Sequence, residues 1–189
     1  FVMENVERAR LSEAYKNARP VFLKAGYALT EVVLDASHYG VPQARKRFFC
    51  IGLQASCANG LSDRIASMAT TDKLSVRGYL GMEFGVERYY RHPRNYNRRA
   101  IYSIDEPSAT IRGVNRPVPP GYLGHRLDAG AVTPDLRSLS TLERARVQTF
   151  PKTFVFDDTK SALELMIGNA VPVELARSVA SALRSELEK

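Results

Sequence analysis

Few side chains of this sequence are placed to do chemistry. From Arg88 to Arg126 there are eight arginines and no lysine, against only Asp105 and Glu106, with Tyr89, Tyr90, Tyr96, Tyr102 and Tyr122 interleaved. Guanidinium forks beside aromatic rings, in a stretch rich in Pro, Gly and Asn, suit phosphates and bases, so this segment reads as a loop-borne nucleic-acid surface. The plainer reading is a solvated basic face. Thiol chemistry has two candidates, Cys50 and Cys57. Cys50 stands among aromatics in Phe48-Phe49-Cys50-Ile51, where a buried, inert thiol is expected, and no proline precedes either cysteine. Two cysteines make neither a disulfide framework nor a zinc cluster, and His38, His92 and His125 are scattered, so no metal site is expected. Glu4 reads as the polar cap of a strand end, Gln43-Ala44-Arg45-Lys46-Arg47 as a basic turn, and Ile167-Gly168-Asn169-Ala170-Val171-Pro172 as a helix entry. Each is weak taken alone.

These residues need elements to hold them. The 189 residues suffice for one ordinary domain, and 44% apolar with 25% charged side chains is the balance of a globular protein. No apolar run reaches a membrane span, no secretory signal opens the chain, and the cytoplasm is the expected compartment. Residues 1–53 alternate between strand and helix: a strand at Phe1–Met3, a helix over about Ala18–Ala25 capped by Asn17 and stopped by Gly26, then strands at Ala28–Leu34 and Lys46–Leu53. That is the tail of an α/β sheet. From about Gln54 to Asp135 periodicity dissolves into short pieces, with strands expected at Ala100–Ile104 and Ala109–Arg112. A polar helix is expected over Thr141–Thr149. The last helix enters at Pro172 and lines Leu175, Ala176, Val179, Ala180, Leu183 and Leu187 on one face.

Taken in order, FVMENV at 1–6, YGVPQARKRFFCIG at 39–52, RSLSTLERARVQTFP at 137–151 and IGNAVP at 167–172 resemble the later motifs of the cytosine-5 DNA methyltransferases. The resemblance covers nearly the whole chain apart from about residues 54–100. It implies the carboxyl-terminal part of a Rossmann-like α/β methyltransferase sheet plus a small, loop-rich, mainly β target-recognition domain. The divisions expected are 1–53 for the end of the catalytic domain, 54–160 for recognition, and 161–189 for the cofactor-side motif and returning helix.

The resemblance also assigns roles. Glu4 is the acid at cytosine N3, Arg47 the donor at O2, and Arg45 the residue that holds the neighbouring carboxylate or a phosphate. Asn169, Ala170 and Val171 would face S-adenosylmethionine, with Gly168 permitting a tight turn. Gln43 and Thr110-Ile111 would lie at double-stranded DNA, Arg98 and Arg99 on phosphate, and Arg112 or Arg116 on guanine. Arg144 and Arg146 would support the recognition loops. The family's Gly-rich cofactor loop and Pro-Cys nucleophile match nothing in these 189 residues. The expectation is therefore a portion or subunit that is inactive until joined by an amino-terminal half. The rival readings are a DNA-binding protein of the same descent without catalysis, and an RNA-directed member.

Overall fold

The centre of the first sheet is β4 (Lys46–Gln54), with β1 (Val2–Val6) and β2 (Tyr27–Asp35) paired to it on either side, both antiparallel. The computed structural model describes residues 1–54, 60–95 and 97–188, so Cys57 and Tyr96 lie outside the described residues. Side chains along β4 alternate between two covered faces, which is why the strand reads as a continuous apolar run. Phe48 and Cys50 point to Tyr15 of helix α1 (Glu13–Lys24), while Phe49, Ile51 and Leu53 pack on Leu61 and Ile65 of α2 (Leu61–Ser67) and on Leu175, Val179 and Ala182 of α6 (Val173–Leu187). Cys50 is wholly buried and burial pushes its thiol up, the inert thiol expected.

Several boundaries differ from the sequence reading. β1 continues through Glu4 to Val6, so the carboxylate sits inside a strand instead of capping one. α1 starts five residues earlier than expected, because Ser12 and not Asn17 caps it by accepting from the Tyr15 N–H at 3.2 Å; Pro20 falls inside the helix. On α6 the buried stripe is Leu175, Val179, Ala182 and Glu186. Ala176, Ala180 and Leu187, expected on that face, are exposed. The stripe ends on a charge because Glu186 pairs with Arg64 of α2, Nε to Oε2 3.4 Å.

Between these parts runs a second core. β5 (Arg88–Tyr90) and β6 (Ile101–Ser103) form an antiparallel pair, and β7 (Ser108–Ala109) lies parallel to β3 (Gln43–Ala44). Val76 and Leu80 of α3 (Val76–Leu80), Ala145 and Val147 of α4 (Thr141–Val147), and Ile167 of α5 (Lys160–Asn169) close around Tyr89, Tyr102, Ile104 and Ile111. Tyr89 and Tyr90, each 1% exposed, are therefore core residues and not a stacking surface, while Tyr102 keeps 9% of its surface open. The second expected strand, Ala109–Arg112, ends at Ala109 and turns irregular beyond it. α4 opens on a reciprocal cap, the Ser140 hydroxyl accepting from the Glu143 N–H and the Glu143 carboxylate from the Ser140 N–H. Arg137 forks onto the same Glu143 with two contacts of 2.7 Å.

Gly168 lies within α5 and does not make the tight turn expected of it. Its value is close approach: a Cβ there would stand 2.2 Å from the Arg112 carbonyl carbon and 2.2 Å from the Gly113 nitrogen. Both obstacles are backbone, so the whole segment would have to move. Gly168→Ala should cost about 1–3 kcal/mol, the usual range for overpacking, measured by denaturant unfolding. A midpoint equal to that of the parent protein would show that the two backbones are not in contact.

Candidate functional site

Antiparallel pairing sets Val6 opposite Arg47, which puts Arg47 on the same face as Glu4, two residues along β1. The Arg47 Nε lies 2.9 Å from Glu4 Oε1. The pair is an ion contact and not an aligned hydrogen bond, since that oxygen meets no N–H in bonding geometry. Arg47 also donates from Nη1 to the Lys46 carbonyl at 2.8 Å. Burial pushes the Glu4 carboxyl above its ordinary range, outweighing the charges of Arg47 and Arg45 and the Arg47 contact, which pull it down. A carboxyl that holds its proton higher than an ordinary glutamate, next to a fixed guanidinium, is equipped to give a proton and to stabilise charge on an adjacent oxygen.

Beside this pair opens a cleft of about 600 Å³. Val6, Arg45 and Arg47 line it together with Thr110–Gly113 and Gly168–Asn169, and Arg91, Pro93, Arg94, Arg98, Arg99 and Tyr102 complete the wall. Among the described residues no carboxylate lines it. The arginines divide by what already holds them. Arg91 donates to the Thr110 carbonyl at 2.8 and 3.3 Å, and Arg112 to the His92 carbonyl. Arg99 forks onto Glu106 at 3.0 and 2.6 Å and lies 4.2 Å over the Tyr102 ring. Among the described residues Arg94, Arg98 and Arg116 have no carboxylate partner, and all three are exposed.

Three expected contact residues are thereby reassigned. Gln43 is 0% exposed, accepts from the Ile111 N–H at 2.8 Å and donates to Gln148, so it cannot reach a ligand. The Ile111 side chain is buried in the second core. Arg45, also buried, has no carboxylate partner among the described residues; it donates to the carbonyls of Ile111 (2.8 Å), Gly168 (3.0 Å) and Ala170 (3.1 Å). Burial draws its guanidinium down to about 10, which still leaves it charged at neutral pH.

The other expected residues differ in exposure and in what already holds them. Arg99 is neutralised by Glu106, which leaves Arg98 as the free cation of the expected pair. Arg112 is half-buried and tied to His92, so Arg116 is the accessible one of the two expected base readers. The Thr110 hydroxyl donates to the Ala44 carbonyl at 2.9 Å while the residue lines the cleft. Asn169 is exposed on the cleft, whereas the Ala170 carbonyl is taken by Arg45 and Gln148 and Val171 packs against the first core. Arg144 donates to the Arg112 carbonyl and Arg146 to the Phe150 carbonyl at 2.5 Å, the loop support expected of them. Sequence reasoning missed Arg91, Arg94 and Gln148. The two arginines were legible only as members of the basic run, and Gln148 as one letter of a motif.

Residues 1–185 match the model of a family described as C-5 cytosine-specific DNA methylase. The chain belongs to that family. A Type II methyltransferase of Haemophilus influenzae, M.HindV, is 52% identical over 184 residues, which is 97% of this chain and 60% of that protein. A Type II methyltransferase of Herpetosiphon aurantiacus, M.HgiDI, is 52% identical over 192 residues, covering 100% of this chain and 60% of its own length. The C-5 methylase chain thus spans 60% of the length of these relatives. Among solved structures, the S. pombe Dnmt2 methyltransferase superposes with a TM-score of 0.64 at 16% identity, over 100% of this chain and 67% of that one. The Entamoeba histolytica methyltransferase EhMeth does so with 0.66 at 13%, over 100% and 63%. At such identities the likeness establishes the fold, a portion of the Rossmann-like α/β methyltransferase architecture. Among the described residues no helix is long and apolar enough to cross a membrane.

Proposed function

We propose that these 189 residues form the base-activating and DNA-reading part of a DNA (cytosine-5-)-methyltransferase, acting on double-stranded DNA together with a segment that carries a Pro-Cys nucleophile. The observation that carries this is the Glu4–Arg47 pair, whose guanidinium lines a cleft walled by further arginines. Cytosine C5 is a poor nucleophile until a thiolate adds to C6 and the ring accepts the charge. A proton held by Glu4 for ring N3 and the Arg47 guanidinium for O2 supply that acceptance. The fixed ion pair with Arg47 and the raised carboxyl of the half-buried Glu4 favour catalysis over mere DNA binding, since a pure binder has no use for such an acid.

Of the residues that could meet S-adenosylmethionine, Asn169 fits best, because its side chain is exposed on the cleft wall. When bound, that cofactor supplies the methyl group. The chain's own contribution there is a wall: Gly168 and Ala170 held rigid behind Asn169 by Arg45. Arg94, Arg98 and Arg116 are the cations available for phosphate or base edges.

The test is complementation. Mixed with the amino-terminal segment of a relative that carries the Pro-Cys, the chain should transfer labelled methyl groups to C5 of duplex cytosines, and neither part should do so alone. Methyl transfer by the isolated chain, or none from the mixture once association is shown, would sink the reading. The same cleft gives a second expectation. Log affinity for duplex DNA should fall linearly with log salt, and Arg94→Ala or Arg98→Ala should each flatten the slope by about 0.9 if it contacts one phosphate. Unchanged slopes in both variants would leave the cleft a solvated face.

A further inference from the structure

Behind the arginine cleft a line of side-chain amides joins its two walls. The Ile111 N–H donates to Gln43 Oε1 at 2.8 Å, and Gln43 Nε2 donates to Gln148 Oε1 at 2.8 Å. Gln148 Nε2 then donates to the carbonyls of Ile167 (2.6 Å) and Ala170 (3.3 Å). The ends fix the direction of the line. A backbone N–H only donates and a carbonyl only accepts, so neither amide can turn over without facing like against like. Arg45 closes the circuit by gripping the carbonyls of Ile111, Gly168 and Ala170. Ile111 is thus held at both its N–H and its carbonyl, and Ala170 by two donors at once. Gln43 and Gln148 are 0% exposed and Arg45 1%, so a lost member leaves its partners shielded from bulk solvent with a hydrogen bond unmade.

We propose that Gln43, Gln148 and Arg45 are positioning residues: they fix the spacing between the Ile111–Gly113 wall and the Gly168–Ala170 wall, and through it the affinity of the cleft. Gln43 and Gln148 never touch the ligand. In naming that ligand DNA, the inference rests on the function proposed above; in fixing the walls it does not.

Gln148→Glu separates positioning from bulk. Ionised, the new carboxylate still accepts from Gln43 but has no proton for the Ile167 and Ala170 carbonyls and repels them. Protonated, it restores the donor in the same shape, and burial raises its pKa toward neutrality. The Ile111 amide, two hydrogen bonds away, should keep the parent's hydrogen-exchange protection factor at about pH 5 and lose about tenfold of it by about pH 8. The β4 amides should hold at both values. A role confined to filling space would not follow that titration. Ile111 protection equal to the parent's at the higher pH, or equal losses throughout β4, would overturn the proposal. Should Gln148→Glu fail to fold, Gln148→Met, which keeps the length and removes the polarity, decides by the same comparison at one pH. Duplex DNA affinity of the full chain should fall in parallel by about tenfold with the salt slope unchanged, because no phosphate contact is lost. An affinity that stays at the parent's while Ile111 loses protection would remove the link to binding. Absence of any DNA binding by the parent chain would count against the proposed function and leave the exchange result to decide the positioning.

Discussion

In the complemented enzyme, Glu4→Gln is expected to lower single-turnover methyl transfer by about 10²–10⁴, the span one acid/base group supplies. DNA affinity should be nearly unchanged, because Glu4 contributes no positive charge to the cleft and its loss is confined to ring activation. The pH dependence follows from the direction of its shift. Burial holds the Glu4 carboxyl above the ordinary glutamate range, while Arg47 and Arg45 pull it down. Removing Arg47 should therefore raise the Glu4 pKa further, read by carboxyl NMR titration of Arg47→Gln. The stability consequence has the same sign. Below the unfolded glutamate pKa the folded protein gains from the protonated carboxyl, and that gain is lost as pH rises through the raised folded value. Glu4→Gln should abolish this part of the pH profile. A wild-type turnover rate in Glu4→Gln would take the residue out of the mechanism, and a falling carboxyl pKa in Arg47→Gln would refute the electrostatic account.

The second large effect is on stability. Arg144 and Glu164 form an ion pair with side chains 4% and 6% exposed. Glu164 also accepts from the Thr141 hydroxyl at 2.7 Å and the Asn115 amide at 3.4 Å, and Arg144 supports the Arg112 carbonyl. Arg144→Ala leaves a buried carboxylate without its counter-charge and should cost about 3–5 kcal/mol by denaturant unfolding. Arg144→Met combined with Glu164→Leu should recover a large part of that loss, because the cost lies in orphaning one charge and not in the absence of a bridge. Were the single and double variants equally unstable, packing and not charge would be the cause.

How far the sequence carried the reading depends on how local each signal was. The strands around Phe48–Ile51 and the entry to the last helix were legible because alternation and a proline are local facts. The resemblance brought Glu4 and Arg47 together across a sheet that no periodicity could have paired. It failed at Gln43 and Arg45, because a motif letter records that a residue is needed but not whether it faces ligand or backbone. The tyrosines misled for a related reason. An aromatic beside an arginine looks like a nucleic-acid contact, yet Tyr89 and Tyr90 are each 1% exposed and form the floor beneath the basic loops. α3 could not be read at all, since five residues cannot display a helical period. The sequence starts α1 late because Pro20 reads as a first-turn residue, and only the Ser12 cap shows otherwise.

Arg45 grips three main-chain oxygens, at Ile111, Gly168 and Ala170, and no side chain of the segment it secures. Every amino acid offers that oxygen. The residues that face the cleft around Ile111 can therefore be exchanged generation after generation without loosening the clamp that seats them, provided the chain length and the glycine contact are kept. A lineage built this way can change what the cleft presents by changing loop side chains alone, and an engineer grafting a foreign loop at this seam would need to preserve a backbone path and not a sequence.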